Sequence, residues 1–150
     1  MLQASAALSV PLPPRPDIPD DDGLDPLLRL VDEGPRPAHA LVIAAHGPEL
    51  ICGLLRRGCP RATVLRPGSK PDAHDYSLVV ASHLTGFPAE GLVRQIRDAL
   101  APGGRLIARL PAGASARSFV RRLRLNGFAV TRTVQLPHLT LLCADLRSAS

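Results

Sequence analysis

The sequence predicts an α/β domain with a mainly parallel sheet that ends in an antiparallel pair of strands. Short apolar runs alternate with helical patterns from residue 40 to residue 125, which is typical of strands joined by helical crossovers. Two apolar runs near the C-terminus are separated only by Pro137 and His138, which favours a hairpin. Apolar residues make up 45% of the 150 residues, enough for the core of one domain.

Residues 1–22 are predicted to form an extended or disordered leader. Five prolines stand between residues 9 and 22, and the segment ends in a run of aspartates. Proline fixes φ and lacks a backbone N–H, so helices and sheets accommodate it poorly. A polyproline segment at residues 11–16 that docks on a partner is the alternative to a flexible tail. The α/β domain is then expected to cover residues 23–147.

A short helix is expected to open the domain at residues 24–33. Asp25 can cap this helix, and Pro26 suits its first helical position. Gly34 followed by Pro35 ends it. Its leucines and valine recur at helical spacing, so it is expected to pack across the sheet.

Strands and helices then alternate along the chain. Residues 40–45 are continuously apolar, as expected for a strand buried on both faces. Residues 88–100 form the clearest amphipathic helix, and the Pro-Gly-Gly sequence at 102–104 is expected to turn the chain. Ser115 is a possible cap for the last helix. The other predicted elements are strands at 62–65, 76–82, 105–110, 128–136 and 139–146, and helices at 49–57 and 114–125.

The chain is basic, with a formal charge of +5 from 18 basic and 13 acidic residues. Lys70 is the single lysine, and a preference for arginine together with alanine, glycine and proline is also what GC-rich coding produces. The densest cluster contains Arg121, Arg122 and Arg124, for which a solvated helix face is favoured over a nucleic-acid partner. Aromatic residues make up only 3% of the chain, which argues against base stacking.

Cys52, Cys59 and Cys143 do not form a disulfide framework, because their number is odd and they lack CxxC spacing. Cys52 and Cys143 lie in apolar runs, so we expect buried thiols in a reducing compartment, by default the cytoplasm. No apolar run is long enough to cross a membrane. No metal site is predicted either, since no histidines pair at helical spacing and no cysteine stands near a histidine.

Three segments resemble the class I S-adenosylmethionine (SAM) methyltransferases, a Rossmann-like family. Residues 75–81 are similar to the family's fourth strand, which begins with an aspartate. Residues 96–107 resemble its helix-to-strand junction, which carries Pro-Gly-Gly, and this is the most specific match. Residues 125–130 resemble the entry to its closing hairpin. The resemblance covers about residues 39–146 and implies a SAM-binding Rossmann-like fold.

The segment that matches the family's first motif departs from its pattern. In the family, an acidic residue and a glycine loop follow the first strand, and the loop backbone approaches the cofactor. Ala44 stands here in place of the acid, and Gly47 is the one remaining glycine. Glu49 suits the start of a helix but would repel the cofactor carboxylate.

The middle of the chain departs from the family as well. The family holds the ribose hydroxyls with an acid at the end of its second strand, and residues 65–67 offer no carboxylate there. The usual helix–strand–helix that follows is compressed to residues 67–74, so the third strand is expected to be missing. This shortened middle is similar to that of the N-terminal domain of anamorsin.

The resemblance also implies where cofactor and acceptor would lie, namely at the carboxyl ends of the parallel strands. His83 is the candidate general base for an acceptor hydroxyl or amine, with an exposed loop histidine as the alternative. The cofactor-contacting candidates, which all follow a predicted parallel strand, are Ala45, His46, Gly47, Arg66 and Ser82.

Three hypotheses about function follow. Because binding groups are missing at two places, we expect an eroded SAM site on a non-catalytic scaffold that contacts a protein partner. The alternative is a divergent SAM-dependent methyltransferase with an unknown acceptor. The weakest is a nucleic-acid-associated module that uses basic residues of the last helix. Neither a metal nor a membrane is expected in any of them.

Overall fold

The computed structural model describes residues 24–44, 48–67, 69–82, 88–111 and 113–147. The predicted leader lies outside these residues. The described helices are α1 (Leu24–Asp32), α2 (Pro48–Arg56), α3 (Ala89–Ala99) and α4 (Ala114–Leu125). The described strands are β1 (His39–Ile43), β2 (Arg61–Leu65), β3 (Tyr76–Ala81), β4 (Leu100–Pro111), β5 (Phe128–Gln135) and β6 (Leu139–Leu146).

The described strands form one six-stranded sheet in the order β2-β1-β3-β4-β6-β5. The strands β2, β1, β3 and β4 are parallel to their neighbours, and β6 runs antiparallel to both β4 and β5. The predicted fold class is therefore confirmed. The chain leaves β1 toward β2 and returns on the other side to β3, so a topological switch point lies between β1 and β3.

Alternating side chains of the central strands build a core on each face of the sheet. Ala40 and Val42 of β1 pack in the cluster that α1 and α2 complete. Leu41 and Ile43 face the other way, into the cluster that α3 and α4 complete. Both faces are covered by helices, which explains why β1 is apolar from Ala40 to Ile43 rather than alternating.

The starts of α1 and α4 differ from the predicted caps. Helix α1 already includes Leu24, so Asp25 lies inside its first turn and does not precede it. Helix α4 is preceded by Gly113, whose positive φ of 99° favours glycine. No side chain of a described residue forms a hydrogen bond that caps this helix. Ser115 lies within the first turn of α4. The prediction of Asp25 and Ser115 as caps was therefore wrong.

The connection from β2 to β3 is short, as predicted. Residues 66–75 contain no strand among those described, and β2 lies at one edge of the sheet. Ala73 packs partly buried against the core that α3 and α4 cover, so the connection crosses that face of the sheet. The third strand of the fold is absent from this part of the described chain.

The Pro-Gly-Gly sequence lies inside β4 and does not turn the chain as expected. Leu100 pairs with Tyr76 directly after α3 ends, and the register shifts before Arg105 pairs with Leu78. A Cβ on Gly104 would lie 2.8 Å from the carbonyl oxygen of Ala101, so only glycine fits this irregularity. The sequence is thus a bulge that delays regular pairing rather than a loop.

The three cysteines are free, but only two are buried. Cys59 and Cys143 are buried as expected, whereas Cys52 is exposed. Cys52 lies on the outer side of α2, where a residue in an apolar run can still face solvent, so its predicted burial was wrong. Among the described helices, none is long and apolar enough to cross a membrane.

Candidate functional site

The carboxyl ends of three parallel strands lie level with one another at the switch point. The backbone N–H of Ser82, after β3, donates to the carbonyl of Ile43 over 3.0 Å. The N–H of Ala44, after β1, donates to the carbonyl of Leu65 over 3.1 Å. Ala44 and Ser82 are 0% and 1% exposed. The sheet therefore continues, tightly packed, to the edge at which open α/β folds bind their ligands.

Two of the six predicted site residues are described by the structure. Arg66 and Ser82 lie at the carboxyl ends of β2 and β3, on the same edge of the sheet, as their strand assignments predicted. The strand β1 stands between them. The other candidates, which lie outside the described residues, are Ala45, His46, Gly47 and His83.

Arg66 begins a turn that α3 holds in place. The N–H of Ser69 donates to the carbonyl of Arg66 over 3.1 Å, which closes the turn. The side-chain amide of Gln95 donates to the carbonyls of both Arg66 and Ser69. Gln95 is only 6% exposed, so it ties the end of β2 to the helix that packs beneath it. The Arg66 side chain itself is exposed.

Ser82 is joined to the next strand of the sheet by Arg109. The Nη1 atom of Arg109, in β4, donates to the Ser82 hydroxyl over 3.4 Å. Arg109 is partly buried and places a guanidinium near the carboxyl end of β3. A fixed, partly desolvated guanidinium can bind a carboxylate or phosphate strongly.

Gln95 and Arg109 were both missed by the sequence analysis. Gln95 is a polar residue on the apolar side of an amphipathic helix, and Arg109 interrupts the apolar run of β4. Each breaks the local pattern, and such breaks in a core-facing pattern signal a specific hydrogen bond or site.

The carboxylates that the structure places around β3 belong to the opposite edge of the sheet. Asp75 precedes β3 and lies 4.0 Å from Nδ1 of His39, at the start of β1. Asp72 accepts a hydrogen bond of 3.0 Å from the Tyr76 hydroxyl. Both therefore stabilise the amino ends of the strands. Among the residues that the structure describes, no group of three or more metal-ligating side chains comes together.

The comparisons with known proteins point to one fold. No protein-family model and no curated protein matches the chain. Among solved structures, the 1,6-didemethyltoxoflavin-N1-methyltransferase of Burkholderia thailandensis, with 1,6-didemethyltoxoflavin and S-adenosylhomocysteine (SAH) bound, is similar. Its identity is 12% and its TM-score 0.72, over 86% of this chain and 80% of that chain.

Two further methyltransferase structures are similar over most of their length. The N-methyltransferase NodS of Bradyrhizobium japonicum, in complex with SAH, is 15% identical, with a TM-score of 0.67 over 95% of each chain. The glycopeptide N-methyltransferase MtfA, complexed with SAM, is 14% identical, with a TM-score of 0.66 over 82% of this chain and 93% of that chain. The chain therefore has the methyltransferase-like Rossmann fold.

The expectation of a non-catalytic scaffold is contradicted by these comparisons. The three proteins compared above, which share the fold, are methyltransferases that were solved with SAM or SAH. The physical reason is that the site in this fold uses backbone N–H groups at strand ends. Replacing a single side chain, such as an acid by Ala44, does not by itself remove such a site, so our interpretation of it as eroded was wrong.

Proposed function

We propose that the protein is a SAM-dependent methyltransferase that binds its cofactor at the carboxyl ends of β1, β2 and β3. The observation that carries the proposal is the switch point between β1 and β3, in a fold shared with methyltransferases solved with SAM or SAH. When bound, SAM supplies an electrophilic methyl group. The chain's own residues have to hold the cofactor, shield it from water and accept a proton from the acceptor.

The amino acid part of the cofactor is expected beside the start of α2. This nine-residue helix begins at Pro48, directly after the segment that follows β1. Backbone N–H groups in the first turn of a helix, together with the helix dipole, favour a carboxylate. Glu49 is exposed in the first turn, where its charge opposes that attraction, although solvent weakens the repulsion.

The ribose and adenine are expected along the turn that follows β2. This turn lacks the acid that the family uses, but Gln95 holds its backbone from below. A rigid turn presents its polar groups at a defined place and saves the entropy of ordering them on binding. Arg66 is exposed beside it and can stack its planar guanidinium on the adenine ring.

His83 stays our candidate general base, since it follows Ser82 at the carboxyl end of β3. Its imidazole would accept the proton that an acceptor hydroxyl or amine loses when it attacks the methyl group. Arg109 bonded to Ser82 is a suitable partner for an anionic group on that acceptor. A cytoplasmic location and the likeness of the shortened middle to anamorsin also remain predictions.

The test is isothermal titration of the full chain with SAH and with SAM. Saturable binding of SAH is expected, and Arg66→Ala is expected to weaken it severalfold. The matched control is Arg94→Ala, because Arg94 is an exposed arginine of α3 whose described ion pair is with Glu90 of the same helix, over 3.8 Å. The proposal fails if neither ligand produces heat or raises the melting temperature at millimolar concentration.

The histidine is tested separately, by its effect on SAH affinity and on turnover with SAM. His83→Ala is expected to leave SAH affinity unchanged and to abolish turnover once an acceptor is found. If His83→Ala instead removes SAH binding, the imidazole contacts the cofactor, and the role of general base is wrong.

A further inference from the structure

A second concave site lies away from the switch point, between α4 and the β5–β6 hairpin. It is a cleft of about 430 Å³, within the range of about 300–1,000 Å³ that is usual for small-molecule pockets. The strand β4 lies between β3 and the hairpin, so the cleft does not belong to the cofactor site proposed above. The lining residues are Ala116, Arg117, Val120, Arg121, Arg124, Leu125, Thr133, Gln135 and Thr140.

The cleft is strongly positive. Arg117, Arg121 and Arg124 follow one another at intervals of four and three residues, so they share one face of α4. They span about 10 Å along the helix axis. None of the ion pairs in the described part of the chain involves these three arginines, and none of the lining residues is acidic.

The neighbouring Arg122 differs from these three arginines, because it lies near a carboxylate. It lies on another face of α4, and its Nη1 atom is 3.9 Å from the carboxylate of Glu90. Part of the basic cluster is therefore neutralised across the α3–α4 boundary, whereas no carboxylate lies among the described residues that line the cleft.

Neutral donors face the arginines from the hairpin. The hydroxyl of Thr140, which is 1% exposed, donates to the side-chain oxygen of Gln135 over 3.0 Å. This bond fixes the Gln135 amide and leaves its NH₂ group as the donor. Thr133 adds a second hydroxyl from β5. Donors from β5 thus face the arginines of α4 across the cleft.

The rest of the lining is apolar. Ala116 is buried and Val120 is half-buried. Leu125, by contrast, is a large apolar side chain that is 70% exposed. An exposed apolar side chain beside arginines that form no ion pair within the described residues points to a ligand that has both an apolar body and a negative head.

We propose that this cleft binds an organic phosphate monoester, with the phosphate on the arginines and its apolar body against Val120 and Leu125. A monoester carries a charge of about −1.5 to −2 and three acceptor oxygens, which suits several guanidinium forks better than a single carboxylate does. A nucleic-acid strand fits less well, because the lining contains no aromatic side chain on which a base could stack.

The experiment is a titration of the full chain with phenyl phosphate at constant ionic strength, followed by NMR amide shifts and calorimetry. Parallel titrations use inorganic phosphate, benzyl alcohol and a short single-stranded oligothymidylate. We expect phenyl phosphate to bind at least tenfold more tightly than inorganic phosphate and to shift the amides of Thr133 and Gln135.

Substitutions of residues that line the cleft test whether phenyl phosphate binds there. Arg121→Gln and Arg124→Gln are each expected to weaken phenyl phosphate about tenfold, the usual loss of a charged hydrogen bond. Leu125→Gln is expected to weaken phenyl phosphate but not inorganic phosphate. Arg29→Gln is the matched control, because Arg29 is exposed on α1, in the opposite helical layer.

Four results would overturn the proposal. These are no saturable binding at millimolar phenyl phosphate, equal affinity for inorganic phosphate, equal losses in Arg29→Gln and Arg121→Gln, or tighter binding of the oligonucleotide than of phenyl phosphate. The last would instead assign the face to nucleic acid. Because SAH is absent from these titrations, their outcome does not depend on the proposed methyltransferase activity.

Discussion

Tyr76, the only tyrosine of the chain, is 1% exposed at the start of β3. Burial raises the pKa of its phenol above the ordinary value of 10.0, and the hydrogen bond to Asp72 raises it further. The folded state therefore holds the phenol proton more tightly than the unfolded state does. This contribution to stability is complete below pH 10 and is lost as the pH rises above it.

We expect the free energy of unfolding to fall more steeply above pH 10 in the wild type than in Tyr76→Phe, which cannot titrate there. At neutral pH, Tyr76→Phe loses the bond to Asp72 and about 1 kcal/mol. Urea unfolding at a series of pH values measures both effects, and tyrosinate absorption reports on Tyr76 alone. Parallel slopes in the two proteins would contradict the assignment.

Gln95 acts on the cofactor site through the turn after β2. Gln95→Leu removes the donors to Arg66 and Ser69, and we expect a loss of stability of about 1–3 kcal/mol. We also expect SAH affinity to fall severalfold, because the turn is no longer held. Gln95→Glu is the variant for comparison, because its side chain has a similar size but also lacks the amide N–H donors. Unchanged SAH affinity in a stable Gln95→Leu protein would limit Gln95 to a structural role.

Among the elements, β4 depends on a glycine and α3 does not. A Cβ at position 104 would lie 2.8 Å from the Ala101 oxygen and from a methyl group of Leu100. Gly104→Ala must therefore open the bulge, and we expect a destabilisation of about 1–3 kcal/mol. Gly91 is exposed in α3 with nothing within 4 Å of its would-be Cβ.

The matched substitution is thus Gly91→Ala, which is expected to stabilise the protein by about 0.5–1 kcal/mol. Chemical denaturation of both variants and the wild type measures the two changes in the free energy of unfolding. If Gly104→Ala were as stable as Gly91→Ala, the bulge would be able to relax at no cost, and the close approach would not constrain the sequence.

For the whole molecule, the two proposed sites should stabilise the fold independently. A ligand present at 100 times its dissociation constant raises the free energy of unfolding by about 2.7 kcal/mol. Because β4 lies between the strand ends of the cofactor site and the hairpin that lines the cleft, the effects of SAH and phenyl phosphate are expected to add. Thermal unfolding with each ligand and with both measures this. A combined shift no larger than either single shift would mean that the ligands compete for one site.

Much of the architecture could be predicted from the sequence, because apolar periodicity follows directly from burial. The continuous apolar runs at β1 and β3, the amphipathic α3 and the closing hairpin all lie where they were predicted, within one or two residues. The caps predicted at Asp25 and Ser115 were wrong, since the position of a cap depends on the path of the backbone that enters the helix, and sequence patterns define helix ends poorly.

The candidate site was predictable only in outline. Strand assignments were enough to place Arg66 and Ser82 at one edge of the sheet. Gln95 and Arg109 reach that edge from α3 and β4, across sequence separations of 29 and 27 residues from their partners. No local pattern encodes such pairs. The scaffold hypothesis, which rested on the missing acids, the reduced glycine loop and the missing third strand, was wrong, because these departures do not by themselves remove a site at the strand ends of this fold.

By itself, the sequence determined the order of strands and helices, the two-sided burial of the central strands and the shortened middle, since these follow from local composition and burial. Only the tertiary structure decided that Pro-Gly-Gly is a bulge within β4, that Cys52 is exposed, and that three arginines of α4 share a cleft with the hairpin. These features depend on which surfaces pack against one another, and packing between distant segments leaves no periodic signal in the chain.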